Sequence, residues 1–483
     1  MTLSDFDVWY RSRFRRTSSA LTATAFIFSD LIAVMLSIGW GFFLVRIFYF
    51  IFPGHINFKS FVTYWPYLPG FILIFLISNL YPGVSLAPAE EMKRLCIGSI
   101  FAYGGITMSR FIENDTWDSV NTAFLISCAF STVILLSARS LTHIFLHKTK
   151  LGGIPAVIYG AGGTGRHVAE CLTKNIRTGY IPVLFLDDSA FSENEIMGIP
   201  VIQDTSIGPE IVKRYNIKMA IVAMPELDAG KLKILLKKSV SAFRYNVLIP
   251  NFFNISNIWM SVRDFSGILG IETSHKLKLN FNLGIKRLMD ILFVLFGGIL
   301  ILPFLLIIAL LIKVTSSGPV LYKHKRLGKN GKPFYAYKFR TMKKNAEQLL
   351  EELLKSDPAI REEWEKYHKL KNDPRVTAVG KVLRHISFDE FPQLINIIKG
   401  EMSLVGPRPI VNEEIEKYGD DFDRIFSIRP GLTGLWQVSG RSDTNYSERI
   451  SYDTYYLQSW SAWLDLWIIL KTFGSIIMGR GAY

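Results

Sequence analysis

Two adjacent carboxylates, Asp389 and Glu390, stand between Phe388 and Phe391 in the run Arg384-His385-Ile386-Ser387-Phe388-Asp389-Glu390-Phe391-Pro392-Gln393-Leu394. Neighbouring acids suit phosphoryl chemistry, because one carboxylate attacks phosphorus while the other holds a divalent cation. Lys338, Arg340 and Arg384 lie upstream and would draw an anionic substrate. An acidic pair alone is more often a solvated surface feature than a catalytic one. The weight therefore falls on the elements around it.

The chain has 483 residues, enough for two or three domains; 49% are apolar and 13% aromatic, and the net charge is +14. A mean hydropathy of +0.24 is high for a soluble protein and points to membrane segments. In a basic membrane protein the cations gather on cytoplasmic loops, facing anionic lipid and phosphorylated substrates. Those segments, and the lack of a zinc-finger or RNP-like pattern, argue against nucleic acid as a partner. Cys96, Cys128 and Cys171 show no CxxC spacing, so a reducing compartment and no structural zinc are expected. The first apolar stretch is too long for a cleavable signal peptide.

Residues 1–150 read as a four-helix transmembrane bundle. Its apolar stretches are Leu21–Phe52, Phe61–Val84, Leu95–Ile112 and Val120–Leu146. The second has 24 uncharged residues and is the clearest span; Arg110 interrupts the third. Asp30, inside the first, is costly in hydrocarbon and is expected near the headgroups or paired within the bundle. Arg11, Arg13, Arg15 and Arg16 precede the first stretch, Lys93 and Arg94 precede the third, and Arg139, Lys148 and Lys150 end the fourth. Glu113, Asp115 and Asp118 occupy the third loop. By the positive-inside rule both ends are cytoplasmic, as expected in a bacterial inner membrane.

Residues 151–265 read as a Rossmann-like α/β module. The strand Ile154–Tyr159 runs into Gly160-Ala161-Gly162-Gly163-Thr164-Gly165 and a helix, Arg166–Thr173. Further strands are Ile181–Leu186, ending in Asp187-Asp188, then Ala220–Ala223 and Asn246–Ile249. Gly160, Gly162 and Gly165 fit GxGxxG in its strand–turn–helix context, where backbone N–H groups cradle phosphate. The same glycines also serve close helix–strand packing, and a structural or oligomerisation role, such as a homodimer through this module, is the favoured reading.

Residues 266–483 read as an α/β catalytic domain entered through a re-entrant helix, 284–314. Ile291–Ile312 is uncharged over 22 residues, yet Pro303 breaks its centre and both flanks are basic: Lys286 and Arg287 before it, Lys313, Lys323, Lys325 and Arg326 after it. A spanning helix would be asymmetric. A hairpin that dips into one leaflet would not. Ala346–Lys371 is a charged, helix-rich stretch, and Trp460–Met478 reads as an amphipathic interfacial helix or, nearly as well, a buried one.

Several strings converge with the acid pair: Tyr337-Lys338-Phe339-Arg340-Thr341-Met342, Ser403-Leu404-Val405-Gly406-Pro407-Arg408-Pro409, and Arg429-Pro430-Gly431-Leu432-Thr433-Gly434-Leu435-Trp436-Gln437-Val438-Ser439-Gly440-Arg441. Their order, behind Lys286-Arg287 and a proline-bent helix, resembles the bacterial polyprenyl-phosphate sugar-1-phosphate transferases, the monotopic phosphoglycosyl transferases. The whole layout resembles the large members of that family. The resemblance implies transfer of a sugar-1-phosphate, galactose before glucose, from a UDP-sugar to undecaprenyl phosphate. UMP would be released and Mg2+ required, in O-antigen, capsule or exopolysaccharide assembly on the cytoplasmic face. It also implies Asp389 as the nucleophile that carries a covalent phosphosugar, and Glu390 as the magnesium ligand or its supporter.

The residues themselves agree. A carboxylate and a diphosphate repel until charge is neutralised, and Lys338, Arg340 and Arg408 are candidates for that work. Pro407 and Pro409 would pre-aim Arg408 as a bidentate clamp. Gln437 and Arg441 are candidates for contacting uracil or phosphate, although a turn cap and a surface ion pair are the plain alternatives. Where the family often has serine before the helix-breaking proline, Leu302 stands before Pro303. Two rivals are set aside. An NAD-dependent dehydratase or epimerase would use a Tyr-x-x-x-Lys pair, and Tyr367/Lys371 lies some 200 residues beyond the glycines. A non-catalytic scaffold has no need of the acid pair.

Overall fold

The computed structural model describes the chain except residues 1, 15–18, 49–61, 85, 116, 150, 176–177, 190–193, 250–259, 266–267, 274–276, 278, 357–359, 363–369, 371–372, 440–444 and 478–483. Arg15, Arg16, Lys150, Tyr367, Lys371 and Arg441 therefore lie outside the described residues. The chain forms two compact units, Met1–Asn254 and Ile255–Tyr483.

In the first unit, helix α1 (Leu3–Phe14) precedes α2 (Ser19–Ile47), α3 (Leu68–Ile77), α4 (Pro88–Asn114) and α5 (Ser119–Thr149). Ala20–Ile47, Pro88–Asn114 and Ser119–Thr149 are long and apolar enough to cross a membrane. The stretch Phe61–Val84 corrects its expectation. Among its described residues a 3-10 turn, Trp65–Tyr67, leads into α3, whose ten residues alone rise about 15 Å. Asn79, at φ +53°, and Pro82 end it, and hydropathy does not register such breaks. The segment still runs the height of α4. Arg94 donates to the Ser78 and Asn79 carbonyls at 3.0 and 3.1 Å, and Arg110, sixteen residues and about 24 Å further along α4, bonds the Tyr64 hydroxyl.

Asp30 is paired inside the bundle. Arg139 donates to its two oxygens at 2.9 and 2.6 Å and to Glu91 Oε1 at 3.0 Å, while the Tyr81 hydroxyl adds a bond at 2.8 Å. All three charged side chains are buried.

The module in the same unit is a six-stranded sheet of β1 (Ile154–Tyr159), β2 (Tyr180–Leu186), β3 (Glu195–Ile196), β4 (Ile199–Ile202), β5 (Met219–Val222) and β6 (Tyr245–Leu248), in the order β3-β4-β2-β1-β5-β6. All pairs are parallel except β3–β4. The glycine loop follows β1 at the point where the strand order reverses, before α6 (Gly163–Lys174). Phe6 and Tyr10 of α1 are buried in the module's core with Val157, Leu184 and Ile211.

In the second unit the long helix α7 (Asn280–Thr315) runs unbroken over 36 residues with Pro303 inside, and is the fourth helix of membrane-crossing length and composition. Lys286, Asp290, Val294 and Ile312 are buried, whereas Phe296, Ile299, Leu300, Phe304 and Leu310 are exposed. Two strands follow, β7 (Leu321–Leu327) and β8 (Pro333–Phe339), paired antiparallel. Val294 packs in a cluster with Phe334 and Ala336, and Ile312 in one with Phe339. Val294 shares its cluster with Ile397 and Met402 as well, and Ile312 shares its own with Leu383, so both ends of the apolar stretch are anchored in the folded part of the second unit. Lys286 Nζ reaches Asp465 Oδ2 at 2.8 Å, and Arg287 donates to the Ile397 and Ile398 carbonyls at 2.6 and 2.9 Å. The helix Ala462–Ile477 buries Leu464, Asp465 and Ile468 against this core, while Leu470 and Phe473 are exposed.

Candidate active site

The acid pair is placed by a tight local fold. Helix α8 (Ala378–His385) stops, Ser387 takes a left-handed φ of +57°, and a 3-10 helix, Phe388–Gln393, presents both carboxylates in its first turn. A non-glycine residue adopts that φ at a cost of about 1–2 kcal/mol. Packing holds it there: Phe388 meets the cluster of Ile312, Phe339 and Leu383, and stacks on Phe391 at 4.5 Å.

Lys338, on β8, serves both acids. Its Nζ lies 2.6 Å from Glu390 Oε1 and 3.8 Å from Asp389 Oδ2, with the Asp389 and Glu390 side chains 15% and 31% exposed. The two carboxyls are driven apart. Burial, with Glu390 adding to it, pushes Asp389 above the usual carboxylate range against the pull of Lys338 and Arg384. Burial also acts on Glu390, but Lys338, Arg408 and Arg326 outweigh it and hold that group below its ordinary value.

Arg408 projects from the 403–409 string, exposed, and makes no ion pair among the described residues. Its field reaches Glu390. The string is fixed from two sides. Asp290 Oδ1 accepts from Ser403 Oγ and Leu404 N, each at 3.0 Å. Ser403–Val405 pairs in parallel with Gly431–Thr433, so the two motif strings are neighbouring strands. A Cβ on Gly431 would lie 2.1 Å from Gly406 N, which is why glycine stands where the strands meet. Gln437 follows in the short helix Leu435–Ser439 beside this junction, its Oε1 3.2 Å from where a Gly434 Cβ would stand.

Arg340 is not brought to the pair. Its guanidinium donates to the Ser316 and Ser317 carbonyls at 2.7 and 2.9 Å, closing the C-terminal end of α7. Sequence reasoning also missed a group of residues. Arg326 Nη1 stands 3.9 Å from Glu414 Oε2, and Arg449 Nη1 stands 4.0 Å from Glu414 Oε1. The period of two along β7 was the available signal, because the β7–β8 register sets Arg326 and His324 on the face of Lys338. Burial, followed by Arg326, Lys338 and Arg408, keeps the His324 imidazole below its usual pKa.

Among the described residues no three His, Cys, Asp or Glu side chains form a metal cage. Magnesium does not need one. It is usually held by one or two carboxylates with substrate phosphates and water, and the Asp389–Glu390 donor set fits that pattern.

In the module, a Cβ on Gly165 would lie 1.9 Å from Gly160 O, so that glycine is required by helix–strand contact, while Gly162 faces open space. Asp187 accepts from Ala161 N at 2.7 Å, and Asp188 accepts from Thr205 N and Oγ1 at 2.7 Å each. Both acids at the end of β2 are engaged within the module.

Comparison with known proteins places this geometry. The bacterial sugar transferase pattern matches residues 281–479 and a CoA-binding domain pattern matches residues 80–243. The undecaprenyl-phosphate galactose phosphotransferase of Salmonella typhimurium is 37% identical over 388 residues, 80% of each chain. The chain belongs to the bacterial sugar transferase family. It is a phosphoglycosyl transferase. The exopolysaccharide production protein ExoY of Rhizobium meliloti is 48% identical over 198 residues, 41% of this sugar transferase but 88% of its relative. The UDP-glucose:undecaprenyl-phosphate glucose-1-phosphate transferase of Klebsiella pneumoniae is 33% identical over 279 residues, 56% of this chain and 57% of the relative.

Proposed function

We propose that the enzyme transfers galactose-1-phosphate from UDP-galactose to undecaprenyl phosphate, with UMP as the first product, at the cytoplasmic face of a bacterial inner membrane. The observation that carries this reading is the acid pair on one lysine, with Lys338 Nζ 2.6 Å from Glu390 Oε1 and 3.8 Å from Asp389 Oδ2, inside the segment that matches the bacterial sugar transferases. Asp389 is the carboxyl lifted by burial and so the more basic, and Glu390 is the one held ionised among cations. An Asp389 oxygen attacks the sugar-bearing phosphorus. The bond from that phosphorus to the bridging oxygen breaks, and UMP leaves with the electron pair. An oxygen of undecaprenyl phosphate then attacks the same phosphorus, and the Asp389 carboxylate is released. Lys338 offsets the negative charge that gathers around both steps. Mg2+, with Glu390 as its protein ligand, would supply further charge neutralisation at the diphosphate. Galactose is favoured over glucose by the Salmonella typhimurium relative, which matches over more of the chain than the Klebsiella pneumoniae one.

The substrates meet only if the pair stands at the membrane surface. A re-entrant α7, bent at Pro303 with its exposed apolar middle in one leaflet, meets that need. Its support is Pro303 at the centre of the apolar stretch, with Val294 and Ile312 on either side of it both buried in clusters of the second unit. The first 150 residues then serve as a multi-pass anchor. The test is a screen of UDP-sugars with undecaprenyl phosphate and Mg2+, read as UMP release. UDP-galactose is expected to give the fastest release. No release with any UDP-sugar would overturn the assignment.

A further inference from the structure

Glu414 and the two arginines beside it lie near the acid pair but have no part in the chemistry so far. Glu414 is firmly placed: it accepts from the Tyr446 hydroxyl at 2.5 Å and from Val411 N at 3.1 Å. Arg449, on one side of it, is boxed by aromatic rings, with its guanidinium carbon 4.5 Å from the Trp436 centroid, 5.3 Å from Tyr446 and 5.8 Å from Tyr418. The Arg326 side chain, on the other side, is 16% exposed, and its guanidinium makes no hydrogen bond among the described residues. At 3.9 Å its Nη1 is too far from Glu414 to bond, yet near enough to be held by charge. Leu327 N donates to the Ile410 carbonyl at 2.8 Å, so the strand that carries Arg326 is joined to the chain two residues beyond Arg408, and the charges of both arginines reach Glu390. Two arginines kept together with no carboxylate at bonding distance lack an acceptor that a diphosphate supplies.

We infer that Arg326 and Arg408 form a two-guanidinium clamp for the donor's diphosphate, and that Glu414 is a positioning residue that keeps Arg326 in the clamp and away from Glu390. This rests on the reading that the donor is a nucleoside diphosphate sugar. Without the Glu414 charge, Arg326 is free to move onto Glu390, where it competes with Lys338 and closes the site to the donor. Tyr446 fixes Glu414 and acts at one remove.

The test uses the full-length enzyme in nanodiscs, measuring UMP release against donor and acceptor concentration and, separately, UDP binding by calorimetry. Arg326→Gln should raise the donor KM and the UDP Kd by about tenfold or more, the loss of one charge-assisted contact, with the KM for undecaprenyl phosphate unchanged. Arg326→Lys should recover only part of this, because a lysine is not a fork. Glu414→Gln should raise the donor KM by about fivefold, and the double variant should be no worse than Arg326→Gln alone. An unchanged donor KM and UDP Kd in Arg326→Gln, or equal losses for donor and acceptor, would overturn the clamp. Additive losses in the double variant would overturn the positioning role. Wild-type enzyme that releases no UMP from any UDP-sugar defeats the functional reading instead, and the UDP-binding arm still decides the clamp.

Discussion

Lys286→Met isolates the joint that holds the entry flank of α7. Lys286 and Asp465 are 2.8 Å apart with side chains 6% and 4% exposed, and the only other bond to Asp465 among the described residues is the Tyr456 hydroxyl at 2.7 Å. Removing one member of such a pair leaves a buried charge with a single donor, a cost of about 3–5 kcal/mol. For a unit of this size each kcal/mol moves the melting temperature by about 2–4 °C, so a fall of roughly 10 °C is expected. Lys286→Met combined with Asp465→Asn removes both charges and keeps an acceptor for Tyr456. It should recover more than half of the loss. The assay is thermal unfolding of the full-length enzyme in detergent, with UMP release measured below the transition. A single variant within about 1 kcal/mol of wild type, or a double variant worse than the single, would refute the argument.

Asp389→Asn should cut turnover by about a thousandfold or more while the protein still folds. Because the folded state raises the Asp389 pKa, its ionisation weakens folding as pH rises through that value. The amide variant should therefore melt higher than wild type near pH 7, with the difference gone below about pH 4. In wild type the same shift predicts that turnover falls on the acid side at a pH above the ordinary carboxylate range. A chain of residues 281–483 should still release UMP, because the ExoY relative is matched over 88% of its own length by only 198 residues of this chain. A folded, membrane-inserted but inactive segment would give the α/β module an essential part. Single cysteines beside Lys286 and Lys325 should both react from the cytoplasmic side only, and periplasmic labelling near Lys325 would defeat the re-entrant path.

What could be read from the sequence was the set of groups, more than their assembly. Asp389, Glu390 and Lys338 were legible because their types and strings pointed to one chemistry, and they do meet within 4 Å. Arg340 has the same charge as Lys338 and stands two residues away, yet it caps a helix end whose position no string announces. The segment 61–84 looked the plainest of the spans because hydropathy counts side chains, whereas its outcome was set by Pro66, Pro69 and the left-handed Asn79. Arg326 was visible as a flank charge only. Its place beside Lys338 depends on strand register, and its neighbour Glu414 comes from 88 residues downstream.

The buried contact between Arg139, Asp30 and Glu91 also bears on how the bundle is made. Asp30 lies in α2 and Arg139 in α5, about 110 residues later in synthesis. Delivered alone to lipid, a helix with a central aspartate or arginine carries a penalty of about 3 kcal/mol. If both helices insert as spans, neither charge is compensated until the other helix arrives. The same pairing ties α2, α4 and α5 together, and a chain cut before α5 would leave Asp30 and Glu91 without Arg139.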